Sequence, residues 1–442
     1  MKSFLPHKLF KYIEPYGHLV EAVLWQTIKR NPSKGLKVIG VTGTDGKTTT
    51  ATMIYTMLND AGIKTGLMTT IGYGTPDNWH ENSMHMTTLP TKAMLERIIE
   101  LRAQGIEWLV LETTSHALAQ HRIWGIPYSL AVLTNVTHEH LDYHGTFENY
   151  RAAKRKLFEL AAGNKAGAVQ IRGIINADDP SAGFFADVMG ANYLQYGLKH
   201  DGLKHADISA NNVEAAGSGS TFDVTVAPSN SFHAQIHLPG TFNVSNALAA
   251  VGVGMALDLS TAEIVHGLAA LKSVEGRMNS IDEGQNYSVI VDFAHTPDSF
   301  EKILSSMKPH LQGRLIVMFG SAGRRDEAKR SQQGLSAGKW ADVVVVTEED
   351  DRDTDGNTIM QQIASGAVQS GKVVDRDLFM VHDRTAAIAF TIGQARPGDT
   401  ILLLGKGHEK TIERADGEHP WDEPGTVRAA IKARMVSETA GE

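Results

Sequence analysis

An apolar run at residues 36–41 breaks into Thr42-Gly43-Thr44-Asp45-Gly46-Lys47-Thr48, and Ile54, Met57, Leu58 and Ala61 then recur at helical spacing until Gly62. A buried strand, a glycine-rich turn and a helix in that order leave few folds open. They place an anion site where the helix starts, because its first N–H groups have no partner of their own. The spacing is Gly40-x-x-Gly43-x-x-Gly46-Lys47-Thr48, with Val41 where a strict phosphate loop has its first glycine. Glycines let backbone N–H groups converge on phosphate, Lys47 neutralises it, and Thr48 offers a hydroxyl to Mg²⁺.

Two further buried-strand candidates, 108–111 and 131–133, each end in polar residues, which is the α/β pattern with its chemistry at the carboxyl ends of the strands. Residues 220–226 and 232–238 alternate apolar and polar, so a β-rich antiparallel insertion is expected there, followed by helix from 243 to about 271. A second α/β run begins near Gly276. Its strands are expected at 288–291, 315–319, 343–346, 379–381 and 401–404, each with a polar or glycine tip: Asp292, Gly320, Thr347, His382 and Gly405. Before all this, Leu5, Leu9, Ile13, Leu19, Val23, Leu24 and Ile28 suggest one or two amphipathic helices, and 31–35 reads as a linker.

The expected architecture is therefore α/β: a short helical stub at 1–35, a P-loop central ATPase domain with a β-rich insertion at 36–273, and a Rossmann-like C-terminal domain at 274–442. A length of 442 residues suits two or three domains. The net charge of −8 argues against a nucleic-acid partner, and the absence of cysteine excludes disulfides, thiolate zinc sites and cysteine nucleophiles. No cleavable leader and no apolar run of about 18 residues is visible, so a cytoplasmic enzyme without membrane contact is expected.

The segment GVTGTDGKTTT at 40–50 is similar to the ATP-binding loop of the Mur ligase and folylpolyglutamate synthase superfamily, with Asp45 where asparagine is usual. Glu112-Thr113-Thr114-Ser115-His116-Ala117-Leu118 with Gln120-His121-Arg122 resembles the MurE-type EVSSHAL…QHR. Residues 133–145, LTNVTHEHLDYHG, resemble its TNLxxDHLDYHG, and Tyr150-Arg151-Ala152-Ala153-Lys154 its YxxAK. Thr87-Thr88-Leu89-Pro90, Asn176-Ala177-Asp178-Asp179, the asparagine-bearing element at 238–247, Gly276-Arg277-Met278, the DFAHTPD at 292–298 and the GKGHE at 405–409 follow in the family's order. The likeness runs from 36 to about 410 and is to the MurE type of Mur ligase.

That resemblance implies an ATP-dependent amide ligase of peptidoglycan precursor synthesis, working through an acyl phosphate, with a muramoyl-L-Ala-D-Glu acceptor and a diamino acid. It implies a catalytic set of Lys47, Glu112, His140 and Lys154. Two Mg²⁺ ions are implied, one on Thr48 and Glu112, the other on Glu112, His140 and carbamylated Lys154. ATP would lie against Gly43, Thr44, Asp45, Gly46, Lys47, Thr48, Thr49, Asn135, Asn176, Asn243, Arg277 and Asp292. The acceptor would meet Thr87, Thr88, Thr114, Gln120 and Arg122, and the amino acid Arg325, Asp350, Arg352, Gly405 and Glu409. A carbamate forms only on a neutral amine, so Lys154 needs a lowered pKa.

Three departures from the family pattern stand out. His138-Glu139 replaces its Arg-Asp pair. At 349–352 the DNPR of diaminopimelate enzymes reads Glu-Asp-Asp-Arg, where added negative charge favours a bare ammonium, Arg352 pulls the other way, and Asp351 is expected to neutralise it. Lysine and meso-diaminopimelate both stay open. Finally, 35 residues cannot form the family's UDP-binding N-terminal domain. That leaves weak UDP binding, a protein partner that supplies the surface, or an acceptor without UDP, on a monomer or weak oligomer. A folylpolyglutamate synthase-like ligase and a partner-dependent or non-catalytic subunit are the rival readings.

Overall fold

The computed structural model describes residues 7–82, 84, 86–164, 169–198, 206–216, 219–227, 230–324 and 327–440. The chain divides into two compact units, Met1–Val213 with Thr221–Ile236 and Asn243–Leu271, and Glu214–Ser220 with His237–Phe242 and Lys272–Glu442.

In the first unit the strands are β1 (Lys37–Thr42), β2 (Thr65–Met68), β3 (Gly72–Thr75), β4 (Asn78–Glu81), β5 (Trp108–Glu112), β6 (Tyr128–Leu133), β7 (Gly173–Asn176), β8 (Tyr193–Gly197), β9 (Ile208–Ala216), β10 (Gly219–Val226) and β11 (Asn230–Ile236). They form one sheet in the order β11-β10-β9-β8-β7-β6-β1-β5-β2-β3-β4. β1 runs parallel to both β5 and β6, with Val41 beside Glu112 on one side and Val132 on the other. From β1 the chain leaves toward β2, while from β5 it crosses back to β6. The tips of β1 and β5, whose connections leave in opposite directions, thus form a switch point of the kind that binds ligands in open α/β sheets.

β5 and β6 are buried throughout and β1 nearly so, as apolar runs covered by helices on both faces should be. The helix Phe147–Gly163 packs directly on β1. A Cβ at Gly40 would lie 2.6 Å from Leu157 Cδ1 and 2.7 Å from Tyr128 Cε1, so only glycine lets that helix come so close. The two strands expected in the β-rich insertion are present as β10 and β11. β9 pairs parallel with β8 and carries β10 and β11 onto the same sheet. The N-terminal segment is one helix, His7–Ile28, with Pro15 inside it and Gln26 donating to the Trp124 carbonyl at 3.1 Å.

The second unit contains β12 (Asn279–Ile281), β13 (Ser288–Asp292), β14 (Leu315–Phe319), β15 (Val343–Val346), β16 (Leu378–Met380), β17 (Thr400–Leu404) and the hairpin β18 (Thr411–Arg414) and β19 (Gly417–Pro420). The main sheet has the order β12-β13-β17-β14-β15-β16, parallel except for the β12–β13 pair. All five strands read from the sequence appear, and apolar clusters cover both faces of the sheet. Asp292 ends β13, and Gly320, Thr347 and Gly405 follow β14, β15 and β17. Among the described residues no helix is long and apolar enough to cross a membrane.

Candidate active site

The loop between β1 and the helix Lys47–Asp60 is held from the tip of β6. Asp45 N–H donates to Asn135 Oδ1 (3.0 Å), while Asn135 Nδ2 (3.1 Å) and Thr134 Oγ1 (2.6 Å) both donate to the Asp45 carbonyl. Thr44 N–H donates to the Asn135 carbonyl at 2.8 Å, and its hydroxyl lies 3.0 Å from Tyr150 Oη. Lys47 Nζ folds back onto the Thr44 carbonyl at 2.7 Å. Gly46 has φ +77, and a Cβ there would stand 2.4 Å from Asn246 Oδ1, which also accepts from Thr50 Oγ1 at 3.2 Å. Asn246 in turn donates to buried Asn243 at 3.1 Å. Alanine at 46 is expected to cost about 1–2 kcal/mol from its left-handed backbone alone. Because it also displaces Asn246, the KM for ATP should rise about tenfold or more in steady-state kinetics.

Glu112 closes β5 and is 1% exposed. Its Oε2 accepts from Thr48 Oγ1 (3.0 Å), Thr70 N–H (3.1 Å) and Thr70 Oγ1 (3.1 Å). This gathers hard oxygen donors at the start of the phosphate-loop helix, the ligand set Mg²⁺ prefers. Lys154 is 2% exposed, and its Nζ lies 2.5 Å from the Gly43 carbonyl and 4.4 Å from the Tyr150 ring centre. Burial first, and then the charge of Lys47, pushes its pKa well below that of an ordinary lysine, against the pull of Glu139, Asp45 and Glu112. The neutral amine that a carbamate requires is therefore favoured here.

His140 sits at φ +55 before the short helix Leu141–His144, a costly backbone for a non-glycine residue. Its ring packs on His116 (4.6 Å) and Tyr150 (6.2 Å), so His140 and Lys154 share the Tyr150 ring as a neighbour, and Nε2 lies 3.5 Å from Glu139. His144 Nε2 lies 3.1 Å from Ser115 Oγ, and His138 stacks on Phe147. Buried Asn176 donates to the Thr134 carbonyl at 2.7 Å, bracing the β6 tip from β7.

The expected acceptor residues lie together beside Glu112. Thr70 Oγ1 and Thr87 Oγ1 lie 3.0 Å apart, Thr88 Oγ1 donates to the Glu112 carbonyl (2.9 Å), and Thr114 N–H donates to Thr88 Oγ1 (3.0 Å). Arg122, 4% exposed, donates to Gln120 Oε1 at 2.8 Å and to the carbonyls of Thr88 and Leu89. Burial pulls its pKa down to about 10.

In the second unit Asp292 accepts from the N–H groups of Met278 and Ala294, both at 2.7 Å, and Arg277 stacks 4.7 Å over Phe293. Lys406, 1% exposed, bonds Asp350 at 2.9 Å and Glu409 at 2.7 Å. Burial raises the Glu409 pKa, with Lys406 opposing it. Arg352 has φ +56 and pairs with Glu413 at 2.6 Å and the Gly323 carbonyl at 2.8 Å. Asp351 was the expected neutraliser of Arg352. It pairs instead with His382 at 2.8 Å, because the left-handed turn sends the two side chains to different partners. Arg325 lies outside the described residues. Thr70, Tyr150, Asn246 and Glu413 were not among the expected site residues. Tyr150 and Asn246 stood inside quoted motifs, whereas nothing local marked Thr70 or Glu413.

Residues 41–254 match the Mur ligase middle domain family, and residues 276–407 match the family described as Mur ligase, glutamate ligase domain. The UDP-N-acetylmuramyl-tripeptide synthetase of Roseiflexus sp. (strain RS-1) is 38% identical over 425 residues, covering 94% of this chain and 82% of that protein. The UDP-N-acetylmuramoyl-L-alanyl-D-glutamate--2,6-diaminopimelate ligase of Bacillus licheniformis is 37% identical over 412 residues, 93% of this chain and 81% of that one. A solved structure carrying the same diaminopimelate ligase name superposes with TM-score 0.67 at 30% identity, over 94% of this chain and 83% of its own. Mycobacterium tuberculosis folylpolyglutamate synthase superposes with TM-score 0.64 over 95% of each chain at 15% identity, a likeness of fold alone.

Proposed function

This chain belongs to the Mur ligase family, and from that premise we propose that it is an ATP-dependent ligase adding a diamino acid to a muramoyl-L-Ala-D-Glu acceptor. The reading is carried by one arrangement: a buried Lys154 amine on the Gly43 carbonyl, in the same strand-tip crevice as the Thr48–Glu112 pair. A structural lysine has no chemical reason to be held there with its charged form disfavoured.

The acceptor carboxylate attacks the γ-phosphorus of ATP, the bond to the β,γ-bridging oxygen breaks, and ADP leaves. The amino group of the incoming amino acid, having lost a proton, then attacks the acyl carbon. An amide forms and phosphate departs. In the first step anionic oxygens approach an anion, so fixed positive charge and N–H donors lower the barrier. The N–H groups that open the helix Lys47–Asp60 and the Lys47 ammonium supply these once Lys47 leaves the Thr44 carbonyl. Thr48 and Glu112 fit one Mg²⁺, and Glu112, His140 and carbamylated Lys154 are proposed for a second. When bound, these ions neutralise phosphate charge. Thr87, Thr88, Thr114, Gln120 and Arg122 would orient the acceptor, and Asp350, Gly405 and Glu409 the amino acid.

The identity to tripeptide synthetases and diaminopimelate ligases favours this reading over the folate ligase. The complete set of Lys47, Glu112, His140 and Lys154 favours it over a non-catalytic subunit. Phosphate release should require ATP, Mg²⁺, UDP-MurNAc-L-Ala-D-Glu and one diamino acid together. Release with a folate acceptor instead, or with no acceptor that was offered, would overturn it.

A further inference from the structure

The N-terminal helix, His7–Ile28, lies ahead of both segments that match the Mur ligase domains, and the reaction just described uses none of it. Its last turn nevertheless reaches the loop that carries Gln120 and Arg122. Gln26 is 1% exposed, and its Nε2 donates to the Trp124 carbonyl at 3.1 Å. Gly125, at φ +80, makes room for it: a Cβ there would lie 2.7 Å from Gln26 Nε2 and 3.0 Å from its Cδ.

The 120–126 loop needs such support. His121 stands at φ +56 between Gln120 and Arg122, a costly backbone for histidine, and Gly125 makes a second left-handed turn. Within the loop, the N–H groups of Trp124 and Ile126 bond the carbonyls of His121 and Ile123, each at 3.1 Å. The carbonyls of Arg122, Trp124 and Gly125 are answered from outside it, by Thr91 Oγ1 (2.8 Å), Gln26 Nε2 and Ser33 Oγ (3.0 Å). The helix also faces Arg122 itself. Burial lowers that guanidinium's pKa, and Tyr143 and the charges of Glu14 and Glu21 oppose the shift.

Gln26 keeps its place at a cost. Its Oε1 is buried and has no hydrogen-bond partner among the described residues. A buried amide oxygen without a donor is unfavourable, and methionine would fill the same space without one. Packing alone does not account for a glutamine here, whereas its N–H on the Trp124 carbonyl does.

We propose that the N-terminal helix is part of the acceptor site, with Gln26 the positioning residue that fixes the 120–126 loop and so sets Gln120 and Arg122 for the acceptor. The assignment rests on the ligase reading above. Arg122 carries the effect onward, because its side chain bonds Gln120 Oε1 and the carbonyls of Thr88 and Leu89.

The test is steady-state ADP formation by the full chain with ATP, UDP-MurNAc-L-Ala-D-Glu and a saturating mixture of L-lysine and meso-diaminopimelate. Gln26→Met should raise the acceptor KM by about three- to tenfold, the worth of one buried hydrogen bond. Its kcat, its KM for ATP and its melting temperature should stay where they were. Lys29 is the control, since its ion pair with Glu96 pins the same helix to the helix Thr91–Ala103. Lys29→Met should leave the acceptor KM alone. Gly125→Ala should raise that KM as well, and combining it with Gln26→Met should add less than the sum, because both act on one contact. Amide hydrogen exchange of the 121–126 segment, read without substrate, should quicken in Gln26→Met and not in Lys29→Met. Faster exchange with an unmoved acceptor KM overturns the assignment and leaves the ligase standing. So does a rise that Lys29→Met shares, or one that comes only with a loss of melting temperature. A wild type that turns over no acceptor sinks the ligase reading and this assignment with it.

Discussion

Lys154→Met is expected to abolish phosphate release and at the same time to raise the melting temperature. The loss of activity should be about a thousandfold or more, in line with removing a group that acts on charge in the transition state. The gain in stability follows from burial. Lys154 is 2% exposed, its pKa is held well down by burial and by Lys47, and methionine fills a similar volume with no charge to desolvate. Replacing a buried ionisable group by a well-packed apolar one is often stabilising by about 1–4 kcal/mol; the lost bond to the Gly43 carbonyl places this case at the lower end. The sign of the pH dependence is fixed too. The folded pKa lies below the unfolded value of about 10.4, so between the two the unfolded chain binds the extra proton and wild-type stability rises with pH. That stability is lost as pH falls through the folded pKa, and the methionine variant should lack this slope. Melting curves in CO₂-free buffer across pH read the slope directly. With ¹³C-bicarbonate, wild type should show a carbamate carbon resonance that the variant lacks. A variant that turns over normally, or a wild type with no carbamate signal, would remove Lys154 from the chemistry.

What the sequence disclosed here, and what it hid, divides by distance along the chain. The loop from Gly43 to Thr48, Glu112 at the end of an apolar run and Lys154 within its motif were legible because each lies inside a short polar signature against an apolar background. Thr70 was not, since its bonds to Glu112 span 42 residues and the strands around it, β2 and β3, are four residues long with no clean alternation. Asp351 and Arg352 were read as a pair because they are neighbours, yet the positive φ at Arg352 turns it to Glu413, 61 residues on. Glu349 looked like one more charge in an acidic run. Only its burial beside Gly405 separates it from Asp353, which stays exposed and paired with Arg324. Register and burial are properties of the assembled sheet, and charge composition alone does not encode them.

Arg384→Ala should be the most damaging substitution for the second unit. Arg384 and Glu423 are both fully buried, with Nε and Nη2 of the guanidinium on the carboxylate at 2.6–3.2 Å. Nη1 also donates to the Glu348 carbonyl at 2.9 Å and Nη2 to the Leu404 carbonyl at 3.0 Å, so one side chain ties the tips of β15 and β17 to the start of the C-terminal helix Glu423–Ala440. Burial alone would lower the arginine's pKa, but Glu423, with help from Glu349 and Glu348, outweighs it and the pKa ends above its ordinary value. Truncation strands the Glu423 charge with, among the described residues, the Trp421 indole N–H at 2.7 Å left to answer it. Breaking a buried pair in this way costs about 3–5 kcal/mol, which urea unfolding of the second unit's transition should register. The double variant Arg384→Met with Glu423→Leu removes both charges, and it should recover more than half of that loss, because the penalty lies in the orphaned carboxylate rather than in the missing attraction. If the double variant is instead as unstable as Arg384→Ala, the two carbonyl bonds to β15 and β17 are what the arginine supplies. The amino-acid KM should then rise equally in both variants, since Asp350 and Gly405, proposed above for that substrate, lie in the loops after those strands.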